Sequence, residues 1–378
     1  MSFIKFVEIN SFRFPLKKPF ANHVRRITHI NAVEVRIFTC SGMVGNGFIY
    51  SLGIISAKEI ISHLTDDLVP QLLDINNFVG NAKALKEKWT ELWDEYKKLK
   101  LNQDQLYALA CIDVAIWDIF TKSNGISLHK FLGAAKSKIP AYGTTGWLSL
   151  TEKELLDECR YYIDKGVSAF KVRLGRPDDF SRIEALRSMM GNELILMLDA
   201  NQRYSVEDAA TISEKLAQFN ILWFEEPTSN ELLSIERIKQ ASKLPIALGE
   251  NILDEKDFEK ICRKKMIDYL QPDIPRCGGI TGFCRVAKIA LKYDIPICNH
   301  LLFELSTSLI SAYPNGFMLE YDNFLPPEIF SQDFSAKNGF IFAPVSPGTG
   351  VEVTEDARKK YRIDSIVVQP SLKLRCRL

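Results

Sequence analysis

The sequence predicts an α/β protein in which a (β/α)8 TIM-type barrel follows an N-terminal α+β capping domain. From about residue 126 onward, short apolar runs alternate with helical segments, which is the pattern of successive βαβ units. Eight such runs can be counted, the number that closes a parallel barrel. Before them, an alternating meander and three helical segments predict a separate α+β unit, and 378 residues suffice for both.

The capping domain is predicted over residues 1–125. Its first part, residues 3–53, has the alternation of a twisted antiparallel meander, most clearly at 32–38. Apolar residues then recur at helical spacing, with a broad buried stripe in the last segment. The three helices are predicted at residues 57–73, 82–99 and 103–120.

The barrel is predicted over residues 126–340, since its apolar runs recur every 20 to 30 residues, roughly the period of a βα unit. No repeat of the sequence itself accompanies this period. The tail, residues 341–378, contains Pro344, Pro347 and Gly348 and is predicted to be loop-like and to pack back on the capping domain. The eight runs are 139–144, 169–172, 195–198, 222–224, 245–248, 269–270, 296–298 and 317–319.

The composition is that of an ordinary globular protein, with 46% hydrophobic and 25% charged residues. A net charge of +1 gives no electrostatic attraction to nucleic acid or to an acidic membrane surface. No run of about 18 apolar residues and no signal-peptide pattern is present. The eight scattered cysteines show no zinc-type spacing, so we expect reduced thiols in a cytoplasmic protein that binds neither nucleic acid nor membranes.

Acidic residues directly follow three successive apolar runs of the predicted barrel. They are Asp199, Glu225 and Glu250. Because the C-terminal ends of barrel strands share one mouth, these carboxylates should meet there and repel one another unless a cation lies among them. Each acid alone could simply cap a helix or be solvated, but three in succession favour a site for Mg²⁺, or for Mn²⁺ as a substitute.

The other strand ends add cations and a possible catalytic dyad. Lys171 and Arg173 end the second run and lie on the same face of a strand. Asp273 follows the sixth run and His300 the seventh, so a carboxylate could orient the imidazole as a general base. Glu320 ends the eighth run. A lone histidine is more often structural, and His300 is selected only by its position opposite Lys171.

Together these segments resemble the enolase superfamily, and within it the mandelate racemase subgroup, also called the mandelate racemase/muconate lactonizing enzyme family. The resemblance covers nearly the whole chain, and it depends on the order and intervals of the motifs rather than on any one of them. The motifs are FKVRLG at 170–175, LDANQRY at 198–204, WFEEP at 223–227, ALGEN at 247–251, LQPDIPRCGGI at 270–280, CNH at 298–300 and MLE at 318–320.

The resemblance implies roles for the residues at the strand ends. The three acids after the third, fourth and fifth runs match the family's Mg²⁺ ligands, which grip a substrate carboxylate and neutralise an enediolate. Asp273 and His300 match the paired base, and Glu320 matches the acid that hydrogen-bonds the other carboxylate oxygen. Lys171 matches the first lysine of a Lys-x-Lys motif that lies close to the bound carboxylate.

Arg173 departs from the family pattern, which often has a second basic lysine there. A guanidinium stays protonated at neutral pH and is a poor base, so a two-base racemase is disfavoured. A hydro-lyase that removes an α-proton from one face and expels a β-hydroxyl as water is the leading interpretation. Three alternatives stay open: a racemase or epimerase of a hydroxy or amino-acid-like carboxylate using Lys171 or Arg173 as second base, a Schiff-base aldolase using Lys171, and a non-catalytic binding protein.

The motifs look most like those of acid-sugar dehydratases, including those acting on galactarate and talarate, and this resemblance implies a small-molecule carboxylate substrate and a homo-oligomer. Substrate selection in such proteins comes from loops of the capping domain. The basic stretch 17–29 could bind a distal carboxylate of a di-acid, although it could equally be a solvated loop. The residues predicted to bind substrate are His23, Arg25, Arg26, Tyr50, Asn201 and Asn251.

Overall fold

The computed structural model describes residues 3–21, 26–52, 56–75 and 79–370. Their strands form an antiparallel sheet of four strands and a mainly parallel sheet of eight. The strands are β1 Ile4–Ala21, β2 Arg26–Thr39, β3 Val44–Ser51, β4 Lys138–Thr145, β5 Ala169–Arg173, β6 Ile195–Asp199, β7 Ile221–Glu225, β8 Ile246–Leu248, β9 Tyr269–Leu270, β10 Leu319–Tyr321, β11 Phe340–Phe342 and β12 Arg362–Val368.

The helices begin where side chains can satisfy the first free backbone N–H groups. Asn102 with Gln105, and Thr151 with Glu154, form capping boxes at two of them. A π-helical turn at Leu64–Leu68 joins the first two helices. The helices are α1 Ala57–His63, α2 Val69–Ile75, α3 Ala82–Lys98, α4 Gln103–Ser123, α5 Leu128–Phe131, α6 Glu152–Ile163, α7 Asp179–Met190, α8 Val206–Leu216, α9 Leu232–Ala241, α10 Glu255–Arg263, α11 Ile280–Lys292, α12 Phe303–Ile310 and α13 Glu355–Tyr361.

The eight-stranded sheet runs in the order β10-β4-β5-β6-β7-β8-β9, with β11 added antiparallel to β4. The predicted seventh barrel strand, 296–298, is reduced to isolated parallel bridges from Ile297 to Leu270 on one side and to Gly316 on the other. These bridges connect β9 to the segment that leads into β10. The predicted α/β barrel with a capping domain is confirmed.

The tail differs from the loop-like segment that the sequence predicted. It contains β11, α13 and β12, and β12 pairs antiparallel with β1 at the edge of the capping sheet. Prolines and glycines around residue 347 therefore mark only the connection between β11 and α13. The final strand pairs with the first one although the two are separated by the entire barrel.

A buried ion pair ties α13 to the capping sheet. Arg358 Nη2 lies 2.7 Å from Glu34 Oε1, Arg358 Nε donates to Glu34 Oε2 at 3.0 Å, and the two residues are 2% and 0% exposed. Asn10 also donates to Glu34 Oε2. A buried pair of this kind is costly to break, since the remaining charge loses its partner without regaining water.

Replacement of Arg358 by leucine is expected to lower the free energy of unfolding by about 3–5 kcal/mol, because it leaves Glu34 buried and unpaired. Urea unfolding followed by circular dichroism measures this difference. Lys359→Leu, on the exposed side of the same helix with 78% of its side chain accessible, is the matched control and should change stability by less than about 0.5 kcal/mol. Equal effects of the two substitutions would contradict a stabilising role for the buried pair.

The capping domain contacts the ends of the barrel strands through aromatic side chains. Phe20 stacks on Trp147, which follows β4, with ring centroids 3.9 Å apart. Trp93 donates from Nε1 to the carbonyl oxygen of Gly278, beyond β9, at 2.7 Å. Tyr50 of β3 reaches the residue that follows β10. The cap therefore covers the C-terminal mouth of the barrel.

Among the described helices, none is long and apolar enough to cross a bilayer.

Candidate active site

Three charged side chains lie side by side where neighbouring barrel strands end. Arg173 is in register with Asp199, and Asp199 is in register with Glu225, so the last residues of β5, β6 and β7 form a row at the mouth. All three are buried. Glu250 follows β8 by two residues and is 6% exposed. The parallel register of the strands brings residues that are 25 or more positions apart in sequence to one edge.

Lys171 is clamped among carboxylates below this row. Its Nζ lies 2.7 Å from Glu320 Oε1, 2.9 Å from Glu225 Oε1 and 3.8 Å from Asp199 Oδ2, and the residue is completely buried. Burial lowers the pKa of Lys171, but the charges of Glu225 and Glu320 outweigh burial and leave the pKa above its ordinary value. Lys171 is therefore held as an ammonium ion.

Arg173 is held as a cation at the wall of the site. It forms an ion pair with Asp199 Oδ2, and its Nη1 donates to Asn201 Oδ1 at 3.0 Å. Its guanidinium lies over the ring of Trp147, 4.8 Å from the centroid. Trp147 also stacks on Phe20 of the capping domain, so one tryptophan contacts both the cap and Arg173.

Asp273 and His300 form the predicted dyad. The two residues are joined by a parallel bridge, and His300 Nδ1 lies 2.7 Å from Asp273 Oδ2. The other ring nitrogen, Nε2, lies 3.1 Å from Glu250 Oε2. Burial lowers the pKa of His300, but the charge of Glu250 and the hydrogen bond to Asp273 outweigh it and leave the pKa above its ordinary value. Asp273 thus orients the imidazole and leaves Nε2 directed into the mouth.

Both side-chain oxygens of Glu320, on β10 beside the segment that carries His300, accept hydrogen bonds. Thr144 Oγ1 donates to its Oε1 at 2.5 Å, and the backbone N–H of Leu301 donates to its Oε2 at 2.8 Å. Burial raises the pKa of Glu320, but the neighbouring Lys171 outweighs burial and lowers it to about 2. Glu320 is accordingly ionised and fixed in position.

The acids at the end of β6 and just after β8, Asp199 and Glu250, have the chemistry of ligands for a hard divalent cation. Within the described residues, Asp199 Oδ2 and Glu250 Oε2 are buried, and their polar contacts are ion-pair contacts with Arg173 and Lys171 and with His300, respectively. Such oxygens, together with a third carboxylate on β7, suit Mg²⁺. In the present arrangement these side chains face Lys171, Arg173 and His300, so the described residues form no group of three ligands around one point. The donor set fits Mg²⁺ in its chemistry and burial.

The structure brings in residues that the sequence did not single out. Gln271 Nε2 donates to Glu225 Oε2 at 2.7 Å, and Arg276 Nη1 donates to the carbonyl oxygen of Glu250 at 2.7 Å. Glu226 is buried with a left-handed backbone, φ 38°, and burial together with the charge of Glu250 raises its pKa to about 7. All three residues belong to motifs on which the family resemblance is based. Their position next to an assigned residue in those motifs could have identified them from the sequence.

Of the six residues predicted to bind substrate, two contact the charged residues of the site, one lies between cap and barrel, one is exposed, and two are outside the described residues. Asn201 contacts Arg173, and Asn251 Nδ2 donates to both oxygens of Glu226 at 2.9 Å and to Glu250 Oε1 at 3.1 Å. Tyr50 lies at the junction of cap and barrel. Arg26 is exposed at the start of β2, where it pairs with Ala21 of β1, and His23 and Arg25 lie outside the described residues.

Two family descriptions match the chain. "Enolase C-terminal domain-like" matches residues 154–357, and "Mandelate racemase / muconate lactonizing enzyme, N-terminal domain" matches residues 7–133. The first spans the barrel from α6 to α13, and the second spans the capping sheet and helices. The resemblance drawn from the motifs is confirmed.

Known enzymes are similar over almost their full length. L-talarate/galactarate dehydratase of Salmonella typhimurium is 28% identical over 373 residues, which cover 94% of this chain and 90% of that enzyme. 3,6-Anhydro-alpha-L-galactonate cycloisomerase of Streptomyces coelicolor is 27% identical over 353 residues, covering 92% and 96%. The crystal structure of L-talarate dehydratase from a Polaromonas species, complexed with Mg and L-glucarate, matches with a TM-score of 0.87 and 27% identity over 98% of this chain and 100% of that one.

Proposed function

The chain belongs to the mandelate racemase/muconate lactonizing enzyme family of the enolase superfamily, and from this we propose that it is a Mg²⁺-dependent acid-sugar dehydratase. In the proposed reaction the α-proton of a polyhydroxy carboxylate is removed, the β-hydroxyl leaves as water, and a 2-keto-3-deoxy acid results. Its relatives include a dehydratase and a cycloisomerase of sugar acids. A cytoplasmic location and a homo-oligomeric state stay predictions.

The observation that carries the proposal is that a described imidazole, that of His300, is placed at the mouth as a proton acceptor on one side, while cations lie on the other side. His300 Nε2 is directed into the mouth, with Asp273 behind the ring. On the other side, Lys171 is bound by two carboxylates within 3 Å, and Arg173 is a guanidinium. A base must lose its own proton before it can take another, and neither cation does so readily at neutral pH. Removal of the α-proton from one face of the substrate is sufficient for elimination of water, whereas a two-base racemase needs a base on each face.

In the proposed reaction, each residue of the site has a separate role. His300 takes the α-proton, and once protonated it can return that proton to the departing hydroxyl. Asp273 fixes the tautomer and stabilises the imidazolium. Lys171 and Arg173 supply fixed positive charge near the substrate carboxylate, and the ionised Glu320 holds the Lys171 ammonium in place.

Asp199, Glu225 and Glu250 are the residues that would hold Mg²⁺. When bound, the cation would supply positive charge against the second negative charge that develops as the α-carbon is deprotonated. The water-excluded site strengthens this effect, since every one of the three side chains is at least nine-tenths buried.

Two other reactions, racemisation or epimerisation and Schiff-base aldol cleavage, are compatible with the fold. Each needs a group that the dehydratase does not need. A racemase or epimerase needs a second base, and the cycloisomerase relative shows that isomerases are similar to this chain. A Schiff-base aldolase needs a neutral lysine, whereas the charges around Lys171 favour its protonated form. Borohydride trapping of a substrate adduct on Lys171 would support the aldolase instead.

The proposal is tested by incubating the purified protein and Mg²⁺ with a panel of mono- and di-acid sugars and measuring keto-acid formation. Formation of a 2-keto-3-deoxy acid from at least one panel member is the expected result. Epimerised sugar acid without keto acid would favour the isomerase, and no reaction of any kind across the panel would remove the support for a dehydratase.

Replacement of Arg173 by lysine is expected to open the second face of the site. A lysine can act as a base where the guanidinium cannot, so α-proton exchange of the opposite epimer should rise at least roughly tenfold over the wild type. ¹H NMR of both epimers in D₂O measures it. Arg173→Gln removes the cation without adding a base and is the control that should show no such gain.

A further inference from the structure

Arg276 is a buried arginine beside the acids that are proposed to hold Mg²⁺. It lies between β9 and α11 and is 2% exposed. Its Nη1 donates to the carbonyl oxygen of Glu250 and to Asn251 Oδ1, both at 2.7 Å, and lies 3.7 Å from Glu250 Oε1. A buried guanidinium needs partners that replace its water. The partners of Nη1 are Glu250 and the residue next to it in sequence.

Of the three acids proposed to hold Mg²⁺, Glu250 is the one outside a strand. Asp199 and Glu225 end β6 and β7, and the register between these strands fixes their positions. Glu250 comes two residues after β8, beyond Gly249, where φ is 148°. Its carbonyl oxygen is bonded to the Arg276 side chain instead of to a neighbouring strand. The backbone of Glu250 is therefore held from outside the sheet.

The two carboxylate oxygens of Glu250 have different surroundings. Oε1 accepts from Asn251 Nδ2 at 3.1 Å and faces the Arg276 guanidinium. Oε2 has its polar contact with His300 Nε2, at 3.1 Å. Because Arg276 also bonds the amide oxygen of Asn251, it fixes which end of that amide faces Glu250. One oxygen is thus held by these two residues, and the other is left toward the imidazole at the mouth.

The same arginine connects the site to the capping domain. Tyr107 of α4 is 1% exposed, and its hydroxyl is hydrogen-bonded to the Arg276 side chain. The backbone N–H of Arg276 donates to Asp273 Oδ1 at 2.9 Å. The main chain of Arg276 is therefore anchored at the dyad, and its side chain lies between the cap and Glu250.

Resting on the proposed function, which assigns Glu250 to Mg²⁺, we propose that Arg276 is a positioning residue that orients Glu250 for the cation, and that Tyr107 of the cap acts through it. Arg276 acts on the ligand and not on the substrate. Partners that orient a metal ligand in this way are worth roughly 10–100-fold in metal affinity. The capping domain would then support the metal site as well as cover it.

A different role for Arg276 would be to neutralise charge. It lies close to three acids, Asp273, Glu250 and Glu226. Loss of a cation beside anionic ligands strengthens their attraction for Mg²⁺, whereas loss of an orienting hydrogen bond weakens Mg²⁺ binding. The direction in which Mg²⁺ affinity changes therefore distinguishes the two roles.

The test measures Mg²⁺ binding by calorimetry on the full chain without any sugar acid. Arg276→Met removes both the charge and the hydrogen bonds, while Arg276→Lys keeps the charge on a side chain that ends one bond short of Nη1. Each should raise the Kd for Mg²⁺ by at least roughly tenfold. A lower Kd in Arg276→Met, or an unchanged Kd in Arg276→Lys, would overturn the inference. Because the lysine variant leaves no acid without its cation, it guards against a methionine variant that fails to fold.

Arg187→Lys is the matched control for these variants. Arg187 is 9% exposed and donates to the carbonyl oxygens of Phe219 at 2.7 Å and Asn220 at 2.8 Å. Both carbonyls precede β7, at the end of the barrel opposite the mouth. The same substitution should therefore leave the Kd for Mg²⁺ within about twofold of the wild type. An equal rise in Kd in this control would also overturn the inference, since the effect would not be specific to Glu250.

A double substitution tests the part played by the cap. Tyr107→Phe removes one hydroxyl and should raise the Kd for Mg²⁺ by at least roughly threefold, because Arg276 loses a hydrogen bond that fixes it. In the Arg276→Met background, Tyr107→Phe should change the Kd by less than about twofold, since its effect passes through the missing arginine. A full threefold rise in that background would contradict the action of Tyr107 through Arg276.

Turnover separates this inference from the proposed function. Wild-type protein that binds Mg²⁺ but forms no keto acid from any acid sugar would contradict the dehydratase, while the Kd values of the Arg276 variants would still decide the role of that residue. Keto-acid formation with an unchanged Kd in both variants would keep the dehydratase and overturn the inference. Absence of Mg²⁺ binding by the wild-type chain would overturn both.

Discussion

Replacement of His300 by asparagine is expected to eliminate dehydration and α-proton exchange, with a loss of at least roughly 10³-fold in kcat. The reason is that His300 Nε2, with Asp273 behind the ring, is the proposed proton acceptor, and an amide is not a base. Asparagine can still hydrogen-bond Asp273, so the fold should persist. Keto-acid formation and ¹H NMR in D₂O measure the loss, and calorimetry should show that Mg²⁺ still binds.

The control for this substitution lies at the opposite end of the barrel. His129 of α5 contacts the carbonyl oxygen of Lys136, which precedes β4, and His129→Asn should leave kcat within about twofold of the wild type. Exchange of both α-epimers of a substrate by wild-type protein at comparable rates would contradict the one-face mechanism. A second base would then exist, and the racemase would become the better interpretation.

Replacement of Glu225 by glutamine, or removal of Mg²⁺ by excess EDTA, is expected to lower kcat by at least roughly 10²–10³-fold. Glutamine keeps the size of the side chain but removes an anionic oxygen donor, and this leaves the charge that develops on the substrate poorly neutralised. Turnover is measured against Mg²⁺ concentration, and circular dichroism checks that the barrel remains folded.

The neighbouring acid provides the matched control for this prediction. Glu226 is equally buried, but its oxygens accept from Asn230 and Asn251, and its pKa of about 7 means that glutamine resembles its protonated form. Glu226→Gln should therefore lose less than about tenfold in kcat. Undiminished turnover in excess EDTA would contradict the metal assignment, whatever the two variants do.

The sequence alone determined the barrel and the row of charged residues at its mouth. Hydrophobic periodicity is a local property, so apolar runs such as 195–198 locate strands without knowledge of their neighbours. Parallel strands all end at the same edge, and for this reason the residue after each run could be placed at one mouth. Asp199 and Glu225 lie side by side in the structure for this reason.

Other contacts and one strand depend on which distant segments come together in the fold. A local sequence pattern contains no information about such contacts. Arg276 reaches Glu250 only because the turn after β9 bends back over the mouth. The tail forms β12 because β1 offers a free edge, and Arg358 finds Glu34 across 324 positions of sequence.

The contact between Tyr50 and Asp322 shows the same division between local pattern and tertiary structure. The sequence identified Tyr50 as a substrate-binding candidate, but its partner Asp322 is 272 positions away. Their contact exists only after the cap docks on the barrel, since neither residue's surroundings in sequence carry information about the other. The sequence therefore determined the reaction's candidate groups, while the docking of two domains, driven by burial of apolar surface such as Phe20 on Trp147, decided which polar groups of the cap and the barrel meet.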